Sequence, residues 1–126
     1  MAKKPKNHHV VVLGASPKPA RYSYQAQQLL MEKGYQVTPV HPNFGEVLGI
    51  PTVHEVGDID DQVHTLTLYV GSQRLIPLID VLMELAPKRV IFNPGTELVV
   101  YRERLDDAGI EWIEGCTLVM LKTGTF

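Results

Sequence analysis

The sequence contains one cysteine, Cys116, so no internal disulfide can form and a secreted disulfide-stapled scaffold is excluded. It has no apolar run near the ~20 residues of a membrane span and no apolar segment at its amino end, which argues against a membrane or secretory destination. An excess of one charge is missing too: 12 Lys+Arg stand against 14 Asp+Glu, a formal charge of −2 that offers nucleic acid no general electrostatic footprint. The basic run Lys3, Lys4 and Lys6 falls in residues 1–7, read as a flexible tail. The five histidines and the lone cysteine show no HxxxH or paired-cysteine spacing, so no metal site is expected. These absences describe a cytoplasmic protein with neither nucleic acid nor membrane as a partner.

What is present is 44% hydrophobic residues in a chain of 126, enough to bury a core without disulfide or metal, so a single domain over 1–126 is expected. Short β-branched runs alternate with helical patterns, as parallel strands covered by crossover helices require. The first strand is His9–Leu13, ended by Gly14. Tyr22, Ala26, Leu29 and Leu30 follow at helical spacing, with Gly34 as the stop. Further strands are read at Tyr35–Val40, Thr65–Val70, Val90–Phe92 and Ile110–Ile113. Leu75, Ile79, Leu82 and Met83 mark a helix with Pro77 near its first turn. Thr96 is the expected N-cap of another, whose inner face carries Leu98, Tyr101, Leu105 and Ala108 before Gly109 stops it. Thr117–Lys122 is read as a short apolar helix, docked on its own sheet or on a partner, which leaves a homodimer or another protein partner open. His41–His64 is an irregular crossover, with a helical turn or short edge strand allowed near Ile50–Val53. The fold class is therefore α/β: a Rossmann-like open parallel five-stranded sheet with helices on both faces, in three layers.

Ligands of such sheets bind outside the carboxyl ends of the strands, and the loops there are the unusual ones. Loops entering strands are terse, whereas those leaving them are long and rich in Gly, Pro and Ser: residues 14–20, 41–43, 71–73, 93–96 and 115–117. Gly14 allows a tight turn and a close approach of ligand to backbone, and the helix that follows offers free N–H groups and a positive dipole end. Ser16 adds a hydroxyl, and Lys18 and Arg21 add charge, as a diphosphate or phosphorylated ribose requires. The dinucleotide fingerprint is not met: Ser16 replaces its second Gly, and the second strand ends in Val40-His41-Pro42 without a carboxylate for a ribose hydroxyl. The GxxxxGK[ST] phosphate loop is absent as well.

Val10 through Pro19 (VVVLGASPKP), Gly34-Tyr35-Gln36-Val37 leading into Pro39-Val40-His41-Pro42, Leu48-Gly49 and Gly109-Ile110 together resemble the small CoA-binding proteins. Those are similar to the nucleotide-binding domain at the amino end of the succinyl-CoA synthetase α subunit, and the resemblance runs from about His8 to Cys116. It implies a Rossmann-like domain that binds coenzyme A or an acyl-CoA as a small-molecule nucleotide ligand. By position, Gly14, Ala15, Ser16, Pro17 and Lys18 would approach the phosphates, with Arg21 and Tyr22 opening the helix behind them. Val40, His41 and Pro42 would border the adenosine, Tyr69, Val70 and Gly71 would form the floor, and Asn93, Pro94 and Gly95 would meet the pantetheine arm. Asn43 stands where many relatives are basic, and Gly71-Ser72 replaces a stretch often containing Arg. The synthetase's phosphorylated histidine belongs to a later domain outside this resemblance, so the implied role is binding without ligase chemistry.

Two other classes stay open. One is an NAD(H)- or FAD-dependent enzyme or redox sensor using Cys116, which precedes the last helix in a setting that activates thiols. The other is an interaction subunit that kept the fold and lost the ligand.

Overall fold

Successive residues of the first apolar run face opposite layers of the molecule. In the computed structural model, which describes residues 8–126, β1 (His9–Leu13) is buried along its whole length. Val10 and Val12 pack into one core, Val11 and Leu13 into the other. The tail expected over 1–7, with its lysines, lies outside the described residues. After β1 come α1 (Tyr22–Glu32), β2 (Gln36–Val40), the short strands β3 (Glu46–Val47) and β4 (Ile50–Pro51), β5 (Thr65–Leu68) and α2 (Ser72–Leu75). The rest is α3 (Ile79–Leu85), β6 (Arg89–Phe92), α4 (Val99–Asp107), β7 (Glu111–Glu114) and α5 (Thr117–Thr123). Five strands form one parallel sheet in the order β2-β1-β5-β6-β7. Chain direction across the sheet reverses between β1 and β5, which opens a crevice beyond their carboxyl ends.

Helices α1 and α5 cover one face over Val10, Val12, Leu30, Val37 and Leu121. Helices α3 and α4 cover the other over Leu66, Leu68, Leu82, Phe92, Tyr101 and Leu105. The last helix thus docks on its own chain, burying Leu118 and Leu121 while Val119 stays exposed.

Four local expectations need correction. The buried side of α1 is Ser23, Ala26, Gln27 and Leu30, whereas Tyr22 is 71% exposed because it opens the helix at the rim of the crevice. The helix carrying Leu75, Ile79, Leu82 and Met83 is not continuous: Pro77 stands in the first turn of a 3-10 segment, Ile76–Leu78, and its missing N–H separates α2 from α3, with α2 starting five residues before it. Thr96 is not an N-cap, because its hydroxyl donates to the Asn93 carbonyl at 2.8 Å and the helix begins only after Leu98. Ala108 is exposed at the end of α4 rather than part of its inner face. The irregular crossover contains the two-residue hairpin β3–β4, whose Leu48 and Gly49 both have positive φ, as an I′-type turn requires. It then lays Val53 along β2: the His41 N–H donates to Val53 O at 3.0 Å and the Val53 N–H to Pro39 O at 2.9 Å.

The amino ends of the strands carry a cluster that makes stability depend on pH. Thr65 Oγ1 meets His8 Nε2 at 3.1 Å, His64 Nδ1 at 2.8 Å, and two guanidinium nitrogens of Arg89 at 3.2 and 3.1 Å. Arg89 only donates, so the hydroxyl proton needs an unprotonated imidazole nitrogen as its acceptor. Burial first, then His64 and Arg89, lowers the His8 pKa to about 4. His64 is lowered by burial, Arg89 and Lys88, with Glu111 opposing. Unfolded imidazoles titrate near 6.5, so below that pH the unfolded chain binds more protons and stability falls as pH drops. The contribution is complete above about pH 7 and is lost between about pH 6.5 and pH 4. For His8 its size is about 2 kcal/mol after allowance for solvent screening. Urea midpoints across this range should show the slope, and His8→Gln should flatten it; equal slopes would remove His8 as its source.

Candidate ligand-binding site

Gly14 ends β1 with φ +93°, and its N–H and that of Ala15 both donate to Val40 O, at 3.0 and 3.1 Å. These two donors lace the loop to the end of β2 and are not free for a phosphate. A Cβ at Gly14 would stand 2.8 Å from Tyr69 O and 2.9 Å from Tyr69 C. The position a side chain would take at this residue is filled by the backbone after β5, while Gly14 itself still lines the cleft. Glycine is required here because two loops of the protein touch.

The phosphate-cradle geometry begins one residue later. Ser16 Oγ accepts the Lys18 N–H at 3.2 Å, and Lys18 O accepts the Arg21 N–H at 3.0 Å, which turns the chain into α1. Arg21, at the cap position, provides no side-chain hydrogen bond, so the first N–H groups of α1 have no acceptor within the helix. They open on a cleft of about 790 Å³. Its walls come from the first loop, the start of α1, His41 and Phe44 after β2, the run from Tyr69 to Arg74, and Pro94 to Thr96. Lys18, Arg21 and Arg74 line it and no carboxylate does. A chain of net charge −2 has therefore gathered cations at one place.

A second cavity of about 660 Å³ lies alongside, walled by Leu13, Val40, Val56, Leu78 and Val81, with Pro42, Asn43, His54 and Glu55 also lining it. Gly14, His41, Val70 and Arg74 belong to both cavities and form the divide. His41 Nδ1 accepts the Asn43 N–H at 3.0 Å, and its ring lies 4.2 Å from that of Phe44. Burial, and then Arg74, lowers the His41 pKa. With Nδ1 accepting, the ring carries its proton on Nε2, a donor.

Gly14, Ala15, Ser16, Lys18, Arg21, Tyr22, His41, Tyr69, Val70, Gly71, Pro94 and Gly95 line the first cleft, while Val40 and Pro42 line the second. Pro17, Asn93 and Cys116 line neither. Asn93 is turned inward: Nδ2 donates to Thr67 Oγ1 at 2.7 Å and to Leu68 O at 2.8 Å, and Oδ1 accepts the Thr117 N–H at 2.9 Å. Above this network Tyr69 contributes to the floor, its phenol pushed up to about 12 by burial against the opposing hydrogen bonds of Thr117 and Thr67. Sequence reasoning missed Phe44 and Arg74. Taking Pro77 as a first-turn residue delays the helix start; with the start at Ser72, Arg74 falls in the turn beside the strand ends.

A parallel α/β sheet whose crevice is cationic and opens on an uncapped helix defines a Rossmann-like domain of the nucleotide-binding kind. The chain belongs to the CoA binding domain family, which it matches over residues 8–122. A crystal structure described only as that of an uncharacterized protein is 44% identical and superposes with a TM-score of 0.89, over 94% of this chain and 98% of its own. Uncharacterized protein YneT of Bacillus subtilis (strain 168) is 27% identical over 70 residues, 56% of this chain and 52% of YneT, so the match spans about half of that curated relative. The dinucleotide-forming acetyl-coenzyme A synthetase 1 of Ca. Korarchaeum cryptofilum, in complex with phosphate and ADP, shares the fold. It is 20% identical with a TM-score of 0.74, and the match covers 86% of this chain and 26% of that one. No helix among the described residues is long and apolar enough to cross a membrane.

Proposed function

We propose that this chain binds coenzyme A or a short acyl-CoA in the cytoplasm and performs no chemistry of its own on it. The observation that carries this reading is the first cleft: Lys18 and Arg21, with no carboxylate, at the uncapped amino end of α1. The donor set fits a diphosphate, because the first N–H groups of α1 and the Ser16 hydroxyl can point at its oxygens while Lys18 and Arg21 neutralise them. The second cavity, walled mainly by Leu13, Val40, Val56, Leu78 and Val81 with the His41 ring at its edge, suits a flat purine. Pro94 and Gly95 line the same cleft and would border the pantetheine arm. When bound, CoA supplies a thiol or thioester carrier; the protein's residues hold and orient it.

An NAD reading is less well supported, since β2 ends in Val40-His41-Pro42 with no carboxylate to accept from a ribose diol, and Glu55 lines the second cavity only. Isothermal titration should give saturable, near-stoichiometric CoA binding, with NAD much weaker. Replacing Lys18 and Arg21 together by Ala should weaken CoA by roughly a hundredfold and reduce the salt dependence of what remains. A folded, ligand-free protein that binds no CoA would overturn the reading.

A further inference from the structure

Arg74 is the cation whose placement the diphosphate does not explain. It lies on α2, across the crevice from α1, and lines both cavities. Arg102 and Arg104 are engaged by Glu114 and Asp80, and Arg89 by Thr65, but among the described residues the Arg74 guanidinium has no carboxylate partner. It is exposed on a short helix that its backbone helps to close, through an N–H donated to Gly71 O at 3.0 Å, and nothing in the packing calls for a guanidinium. Beside it His41 offers its Nε2 proton, since Nδ1 is occupied by the Asn43 N–H. Two donors, one of them charged, therefore line the divide between a cationic cleft and a mainly apolar chamber that Glu55 also lines.

We propose that Arg74, assisted by His41, holds a second phosphate of the ligand, separate from the diphosphate at α1, and so selects a 3′-phosphorylated nucleotide. This rests on the CoA reading and follows from the connectivity of the molecule. With the purine in the apolar chamber and the diphosphate at the amino end of α1, the ribose that joins them spans the divide. A phosphate branching from that ribose meets Arg74. The specificity residue thus comes from α2, while position 43 after β2 carries an uncharged Asn and contributes its backbone N–H to fix His41.

The test is titration of the full chain and of Arg74→Gln and Arg74→Lys with CoA and with 3′-dephospho-CoA. The wild-type chain should prefer CoA by about tenfold, the scale of one exposed charge-assisted contact. Arg74→Gln should lose that preference by weakening CoA alone, leaving 3′-dephospho-CoA within about twofold, and Arg74→Lys should keep part of it as a point charge without the planar fork. Equal affinities of the wild-type chain for the two ligands, or equal weakening of both by Arg74→Gln, would overturn the assignment while leaving CoA binding standing. Absence of CoA binding in the wild-type chain would instead sink the function from which it follows. Unchanged melting temperatures, expected for an exposed side chain, show that affinity and not folding is being read.

Discussion

Gly14→Ala should destabilise the chain by about 2–5 kcal/mol. A side chain at φ +93° is strained by about 1–2 kcal/mol, and forcing a methyl to 2.8 Å from the Tyr69 carbonyl oxygen adds an overpacking cost of about 1–3 kcal/mol. The obstacle is backbone, which cannot swing aside as a side-chain tip would. Against a total stability on the order of 5–15 kcal/mol this lowers the melting temperature by roughly 10–20 °C. Gly71→Ala is the control, because a Cβ there meets nothing within 4 Å and φ is −66°; its melt should be nearly unchanged. A wild-type melt for Gly14→Ala would show that the two loops are not held as close as described. Any loss of CoA binding in a Gly14 variant must be compared with its stability, since the substitution displaces the cleft floor before it touches a ligand.

Asn93→Ala should cost about 3–4 kcal/mol. It removes three buried hydrogen bonds at 2.7, 2.8 and 2.9 Å and leaves the Thr117 N–H without its acceptor. Thr67 Oγ1 keeps its contact with Thr117 Oγ1 at 2.8 Å, which limits the loss. Urea denaturation gives the magnitude, and amide exchange gives the location: Thr117 should lose protection well before the strands of the sheet. Retained protection at Thr117 would mean that α5 is held by Leu118 and Leu121 alone.

Strand positions are legible in the sequence because β-branched runs buried on both faces have few alternatives, and the observed strands agree with the reading to within two residues at either end. The strand-end loops are legible for a related reason, since Gly, Pro and Ser concentrate where a chain must leave a strand and enter a helix. What the sequence does not disclose is which polar groups of those loops are spent internally. Gly14, Ala15 and Asn93 all read as ligand contacts, yet the first two N–H groups go to Val40 and the Asn93 side chain to Thr67, Leu68 and Thr117. Such bonds join residues far apart in the chain, and no local spacing encodes them. Arg74 is hidden for a different reason: a four-residue helix, α2, precedes the turn that holds Pro77, and a proline marks the start of the second segment without revealing the first.

Val53, laid along β2, has an effect beyond shaping the crevice. An outer strand with unpaired N–H and C=O groups is a template on which another chain can add a strand and begin to aggregate. Here the outer groups at Pro39 and His41 are already taken by Val53, and Pro39 has no N–H to offer. At the other margin β7 begins and ends with exposed Glu111 and Glu114, charges that oppose stacking of a second identical edge. Both borders of the sheet thus carry features that oppose amyloid-like extension.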